Sequence, residues 1–499
     1  MSAGRRPCWK CFDRPAVNGP ELSEKVRSLI ETANTRETDG IWLACLLALT
    51  VLRLILAATV PLAPDEAYYW LWAQHLQAGY YDHPPMVALF IRAGTMLAGS
   101  TAFGIRLFGP LAAAAGSLLL WRAAEDFCPH RHAGLVAAGL FNATLVAGAG
   151  AILMTPDTPL LLFWCAGLAA AGRLLATRDA RWWLAIGVAA GFALLSKYTG
   201  VLLVAAFGLW LLSSNIGRRQ LKTPWPWAGM VLALAIFAPN LAWNQAHQWV
   251  SYLKQGGRVA AFDPARALQY LAELVFGQIG LVTPIIFGLF AYAIWRLCRA
   301  HNAVAQLLLW LTLLPAAVFL EHAVFDRVQA NWPAIIYPTA SIAAACLPVA
   351  TLGRWLKPAL ALGFGVTLLV YAQSVAAFLP LPPARDPAAL QLAGWGQFTA
   401  ELGSRHAPFV TSDDYATTAE LAFHAPPGSV VAGFDPRWRY FRFAATQALA
   451  GTSGILVTRR AGTPCPVPLG TLTRQSGRGP VITYRLCSFT ATSSGSLLP

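Results

Sequence analysis

The chain alternates long apolar runs with short polar joints. Apolar runs lie at about 41–61, 103–123, 133–153, 158–176, 182–196, 199–213, 226–243, 273–295, 304–320, 333–350 and 358–379. Most approach the roughly 20 residues that a helix needs to cross the hydrocarbon of a bilayer. They predict about eleven membrane spans, the fifth and sixth short and joined tightly through Lys197-Tyr198. After Pro380 the pattern changes. Leu381-Pro382-Pro383-Ala384-Arg385-Asp386-Pro387 reads as a linker, and from about residue 388 short apolar runs alternate with Gly and Pro turns. The expected fold class is therefore mainly α and polytopic, with a small C-terminal α/β domain. Residues 1–40 form a cytoplasmic N-terminal segment without a signal-peptide core, 41–380 the membrane domain with a first outer loop at 62–102, and 388–490 an extracytoplasmic domain.

Basic residues orient these spans. Arg122 with Arg131, Arg173-Arg178-Arg181, Arg218-Arg219-Lys222, Arg296-Arg299 and Arg354-Lys357 flank alternate span ends, which places those joints in the cytoplasm. The opposite joints hold Asp65-Glu66, Asp82-His83, Thr155-Pro156-Asp157-Thr158-Pro159, Ser196-Lys197-Tyr198, Trp243-Asn244-Gln245-Ala246-His247 and Asp326-Arg327-Val328-Gln329-Ala330-Asn331-Trp332-Pro333. Random scatter would not collect such clusters on one face. A single outward-facing site is the economical reading.

Composition supports the class. Of 499 residues, 56% are hydrophobic and 12% charged, with a mean hydropathy of +0.51, far from the roughly 25% charged of soluble domains. The net charge of +14 does not indicate nucleic acid, because most basic residues sit in short joints between apolar runs. Cys45, Cys165 and Cys346 lie in apolar runs and read as small buried thiols. Cys8 and Cys11 form a lone CxxC with no second pair, a weak zinc signal. Cys465 and Cys487 both fall in the C-terminal tail and form a disulfide if that tail lies outside the cytoplasm.

Ionisable groups at a membrane boundary are costly unless they face water, protein or substrate, so they are functional candidates. Asp65 follows a proline at the outer end of the first span and suits a general base, or else it caps the next helix. Glu66 and Asp82 are further acids beside it. His83-Pro84-Pro85 is a rigid turn that presents an imidazole to phosphate or metal, or simply to the interface. Arg53, inside the first apolar run, either snorkels or reaches a lipid phosphate from below. Lys197 needs an anionic partner, with Asp157 the protein candidate and a phosphate or sugar the functional one. Arg327, Asn331 and Trp332 combine a cation, an amide and an indole, suited to phosphate and sugar hydroxyls. Tyr69, Tyr81 and Tyr198 are candidate sugar contacts or belt aromatics. Asp82, His83 and His247 are candidate ligands for a divalent cation that their spacing neither requires nor excludes. No phosphate-cradling glycine loop and no Ser-His-Asp pattern is legible, so the donor is expected to arrive in the membrane as a lipid.

At these residues the chain resembles the GT-C membrane glycosyltransferases. It is most similar to the bacterial protein O-mannosyltransferase-like branch that includes the aminoarabinose transferase of lipid A and the rhizobial galacturonosyltransferases. Asp65-Glu66-Ala-Tyr-Tyr-Trp, Tyr81-Asp82-His83-Pro84-Pro85, Pro156-Asp157-Thr-Pro159, Ser196-Lys197-Tyr198, Trp243-Asn244-x-x-His247 and Gln329-Ala330-Asn331-Trp332-Pro333 carry the likeness, in order, over about 40–380. Asp413-Asp414-Tyr415 extends it less clearly.

The resemblance implies transfer of a sugar from a polyprenyl phosphate to a lipid or glycolipid acceptor at the outer face of a bacterial inner membrane, with inversion. Asp65 falls on the family's first-loop acid and Asp82 on its second. His83 stands where the aminoarabinose branch has a phosphate-contacting lysine, and Asp157 and Lys197 match positions lining the donor cavity. Residues 65–100 would form outer amphipathic helices along the membrane surface. An oligosaccharide ligase or a flippase for lipid-linked sugars would share the many spans. A flippase, however, would spread its polar groups through the membrane depth rather than crowd them at one end.

Overall fold

A computed structural model of the chain describes residues 24–128, 132–257, 262–492 and 494–499, with the side chains described from residue 39 onward. The Cys8–Cys11 pair, and most of the N-terminal segment expected at 1–40, lie outside the described residues.

Every expected span falls on helix, but not every helix is long enough to cross alone. Asp39–Thr59, Ala102–Phe127, Asp157–Thr177, Trp225–Ala246, Ala303–Phe325 and Val349–Ala376 are long and apolar enough, and two bent pairs bring the number from 6 to 8. Ala133–Asn142 turns by 82° into Leu145–Ile152, and Pro264–Val282 by 107° into Pro284–Cys298. The first break is stabilised by Thr144, whose hydroxyl accepts the Ala147 N–H and caps the second piece. The second falls at Thr283, at φ +71°, directly before Pro284, where the α conformation is disfavoured for the preceding residue. The expected count of eleven therefore included short helices: Trp182–Ser196, Val201–Ser213 and Ile336–Ala345. At 1.5 Å per residue these fall short of the ~30 Å hydrocarbon layer.

A small C-terminal sheet follows the last long helix. Its strands are β1 (Val410–Ser412), β2 (Val431–Gly433), β3 (Ser453–Thr458), β4 (Pro468–Ser476), β5 (Gly479–Thr490) and β6 (Ser496–Leu498). They lie in the order β4-β5-β3-β1-β2-β6. β1 runs parallel to β2 and β3, whereas the β2–β6, β3–β5 and β4–β5 pairs are antiparallel. The linker is tied down at Asp386, which accepts from Gln373 at 2.7 Å and pairs with Arg478 of the β4–β5 turn.

The sheet does not stand apart from the membrane domain. Helix Pro64–Gln74 inserts Tyr68, Trp70 and Trp72 into the same apolar cluster as Phe398, Leu421, Trp438 and Phe441 of the C-terminal region. Large aromatics dominate this shared core, as their buried area would lead one to expect.

Cys465 and Cys487 form a disulfide within the C-terminal region. Cys346 is not a free buried thiol. It is bonded to Cys128, 218 residues away, which fastens the end of one helix to another. Cys165 is a buried free thiol, whereas Cys45 is exposed.

Candidate active site

Asp65 and Asp82 are presented by the two ends of one folded loop. Asp65 occupies the first turn of helix Pro64–Gln74, whose N-cap is Ala63, so Asp65 is not the cap residue. Its Oδ1 accepts a hydrogen bond from the Tyr415 hydroxyl at 2.9 Å, 350 residues away. Asp82 Oδ2 accepts from Tyr68 Oη at 2.8 Å and from Arg437 Nη1 at 3.2 Å. Arg437 also bonds Asp435 at 3.2 Å and lies 4.0 Å over the Tyr415 ring. Tyr415 and Arg437 both come from the C-terminal region, so two of the outer-loop acids are held by the domain beyond the linker.

Solvent reaches Asp65, yet the protein packed around it pushes its carboxyl above the usual carboxylate range. Loss of hydration is the largest cause. The Tyr415 hydrogen bond acts in the opposite direction, while Asp82, Asp414 and Glu66 add to the rise. Tyr415 itself is raised by burial and by the neighbouring acid.

Glu66 does different work from its neighbour. It is fully buried, and Arg106 Nε and Nη2 meet its two oxygens at 2.7 and 2.5 Å. The N–H groups of Ala63 and Met154 complete its set, each at 2.9 Å. A carboxylate with every acceptor position filled and no solvent access anchors the loop. That geometry suits an anchor better than a reacting acid. The Met154 bond also matters for position, because it ties the Asp65 turn to the segment leading into Asp157.

At that segment, Lys197 Nζ lies 2.8 Å from Asp157 Oδ1, and Asn331 Nδ2 donates to Asp157 Oδ2 at 2.6 Å. Trp332 covers the lysine at 5.7 Å. Asp157 and Asn331 form the polar end of a cavity of about 380 Å³. Gly109, Ala112, Ala113 and Gly116 open its apolar length, because their small side chains leave space between helices. The sequence-predicted pairing of Lys197 with Asp157, and the recruitment of Asn331 and Trp332, thus converge.

Other predicted residues sit elsewhere. Arg53 is fully buried and does not snorkel. Its Nη2 donates to Asn142 Oδ1 at 3.0 Å and to Ala147 O at 2.7 Å, which braces the break in the third span. Arg327 is exposed and pairs with Glu273 at 2.6 Å, so it is a surface ion pair rather than part of the Lys197 cluster. Tyr198 accepts from Asn244 at 3.2 Å and packs on Tyr252. Tyr69 packs edge-on to Trp72, and His83 lies 6.4 Å from both rings. Tyr81 stacks on Tyr440 at 5.4 Å. His247 Nδ1 lies 2.7 Å from Trp243 O, and its ring stacks on Trp243. Among the described residues no three His, Cys, Asp or Glu side chains come together as a metal would need, and Asp82, His83 and His247 do not form such a group. Gly79 permits the close approach of this loop, since a Cβ there would meet the Trp243 ring at 2.6 Å.

A family model described as dolichyl-phosphate-mannose-protein mannosyltransferase matches residues 82–243. The lipid A galacturonosyltransferase of Rhizobium johnstonii is 31% identical over 297 residues, 57% of this chain and 60% of that protein. The undecaprenyl phosphate-alpha-4-amino-4-deoxy-L-arabinose arabinosyl transferase 1 of Sodalis glossinidius is 25% identical over 305 residues, 55% of this chain and 53% of that protein. The chain thus matches well under two thirds of the length of these relatives. Among solved structures, ArnT from Cupriavidus metallidurans bound to undecaprenyl phosphate superposes with a TM-score of 0.60 at 16% identity, covering 90% of this chain and 98% of that one.

Proposed function

We propose that the chain is a GT-C-type membrane glycosyltransferase that transfers a monosaccharide from a polyprenyl-phosphate donor to a lipid or glycolipid acceptor at the outer face of a bacterial inner membrane; the fold it shares with ArnT and its partial match to lipid-linked sugar transferases support this. The observation that carries this reading is the link between two half-sites. An open carboxylate, Asp65, stands on a turn hydrogen-bonded through Glu66 and Met154 to the strand of chain that lines an apolar cavity. The cavity accommodates part of an isoprenoid chain. Asp157 and Asn331 line its polar end, and Lys197, 2.8 Å from Asp157, is the cation beside it for the phosphate that the chain carries.

In the proposed reaction an acceptor hydroxyl oxygen attacks the anomeric carbon from the face opposite the phosphate. The carbon–oxygen bond to the phosphate breaks, and its electron pair leaves with the polyprenyl phosphate. Asp65 takes the hydroxyl proton, a role that its raised carboxyl brings closer to the operating pH. Inversion at carbon follows from the single displacement. Lys197 is the cation available to the departing phosphate, and it would leave Asp157 for it or share the two. Tyr415 and Arg437 fix where the two outer acids point. Holding both reactants in one cleft supplies the orientation that free diffusion lacks.

The galacturonosyltransferase and arabinosyltransferase relatives carry lipid acceptors or polyprenyl donors in their names, which supports the substrate classes chosen here. The test is transfer by the purified chain, in lipid, from a polyprenyl-phosphate monosaccharide, against Asp65→Asn and Lys197→Ala. Asp65→Asn should abolish transfer with undiminished expression. Lys197→Ala should raise the donor KM. Full activity of Asp65→Asn overturns the reading.

A further inference from the structure

A second cluster lies on the outer rim of the site, and the reaction above does not use it. Tyr81 and Tyr440 stack at 5.4 Å, next to Asp82 in the chain. Lys254 Nζ lies 5.6 Å from the Tyr81 ring, and Arg439 Nη2 donates to the Tyr440 hydroxyl at 2.9 Å. His247 meets the Tyr440 ring edge-on at 6.2 Å. Three separate parts of the chain therefore converge on one aromatic pair. Their positions are fixed: Ser251 Oγ donates to Tyr80 O at 2.7 Å, Gln255 Nε2 to Asp82 O at 2.7 Å, and Gln77 Nε2 to Tyr440 O at 3.1 Å.

The charges here are unbalanced. Arg437, 5.6 Å from the Tyr81 ring, is taken up by two carboxylates, Asp82 and Asp435. Lys254 and Arg439 form no ion pair among the described residues. Two cations without an acidic partner beside one aromatic pair can take an anionic ligand.

Beside the same cluster lies a short helix with exposed apolar side chains. Helix Val250–Gly256 follows the outer end of a membrane helix, and Trp249 and Leu253, one turn apart, are 45% and 68% exposed. An apolar face of that kind rests in the interface, with Lys254 beside it. A ligand held by Lys254 and Arg439 would therefore approach within the membrane plane.

We propose that Lys254 and Arg439, around the Tyr81–Tyr440 pair, form a docking subsite for the acidic sugar head group of a membrane-borne glycolipid acceptor. The aromatic pair offers an apolar ledge to a sugar ring, and the two cations pair with its phosphate or carboxylate. The ledge begins one residue from Asp82, so a head group seated there presents its neighbouring sugar to the acids. This inference rests on the proposed transfer only in taking the glycolipid to be the acceptor.

The test measures binding without turnover. The full chain is placed in zwitterionic nanodiscs, and the probes are a fluorescent bis-phosphorylated disaccharide lipid, lipid A, and its dephosphorylated form. The wild type should bind the phosphorylated probe roughly tenfold more tightly, the scale of two exposed charge pairs acting together, and added salt should close the gap. Lys254→Ala/Arg439→Ala should bind both probes alike, and Lys254→Arg/Arg439→Lys should restore the preference. Equal binding of the two probes by the wild type overturns the inference, as does a preference that survives in the double alanine variant. Displacement of lipid A by an equal mole fraction of phosphatidylglycerol also overturns it, since the surface would then be a general anionic contact. Because no donor is present, a chain that binds as stated but transfers nothing upholds the subsite and removes only the proposed reaction.

Discussion

The Tyr415 hydroxyl donates a hydrogen bond to Asp65 Oδ1 at 2.9 Å across a sequence separation of 350, so the proposed base is oriented by the domain at the far end of the chain. That bond stabilises the charged carboxylate against the dehydration that raises it. Tyr415→Phe removes the donor and preserves the ring over which Arg437 lies. The carboxyl should then rise further, which means that at a given pH less of Asp65 is ionised. The acid limb of the transfer rate should move to higher pH, with the rate at a given pH on that limb falling by roughly tenfold, the scale of one hydrogen bond to a charged group. A pH profile of transfer by Tyr415→Phe measures this, and an unmoved acid limb contradicts it.

Arg437 makes a different contribution. It lies between Asp82 at 3.2 Å and Asp435 at 3.2 Å, with its side chain 12% exposed and that of Asp82 13% exposed. Arg437→Met leaves Asp82 largely buried with only the Tyr68 hydroxyl for company. Loss of one partner of a buried pair costs about 3 kcal/mol. Thermal unfolding should show that loss, and protease should cut the 381–387 linker faster, because the bond joins the C-terminal region to the first outer loop. Arg437→Lys keeps the charge without the two-sided reach, and should recover only part of the stability.

These two residues explain where sequence reasoning succeeds and where it stops. Apolar run length is a local property, so the helices fall where the runs do. Asp65, Asp157, Lys197 and Asn331 stand out because a charged or amide group beside a long apolar run is rare. Arg437 is surrounded by Arg439, Tyr440 and Arg442, a string that reads as ordinary exposed surface. Nothing in that string signals Asp82, 355 residues earlier. The disulfide between Cys128 and Cys346 is hidden for the same reason: Cys346 sits in an apolar run and looks like a buried thiol, and nothing near it signals Cys128, 218 residues earlier. Glu66 shows the converse. Adjacency to Asp65 suggested a shared role, but successive helical residues point about 100° apart, and this one points inward to Arg106.

The neighbouring acids Asp65 and Glu66 can therefore be separated experimentally. Glu66→Gln should destabilise the fold by about 3–5 kcal/mol, because it leaves the buried Arg106 charge uncompensated. The folded fraction should still transfer sugar at a rate near that of the wild type. Asp65→Asn should show the reverse, a stable protein without activity. Measuring thermal stability and activity per folded molecule for both variants checks the assignment, and a folded but inactive Glu66→Gln would return Glu66 to the chemistry.

Glu420 governs how the C-terminal region responds to pH. It is fully buried on helix Tyr415–Phe423, and neither carboxylate oxygen has a hydrogen-bond donor; the nearest partner is His424 Nε2 at 3.4 Å. Burial pushes its carboxyl up from 4.5 to about 7, against a smaller pull from His424. A carboxyl raised on folding binds its proton more tightly in the native state than in the unfolded one. Its stabilising effect is complete below about pH 4.5, and is lost as pH rises toward 7. The size of the loss is about 3 kcal/mol, from the shift of the carboxyl alone. The wild type should thus lose thermal stability between pH 5 and pH 8. Glu420→Gln, neutral at both, should flatten that dependence and melt higher than the wild type at pH 8. A wild-type melting temperature that instead rises across this interval would mean that Glu420 is ionised in the native fold and satisfied by His424.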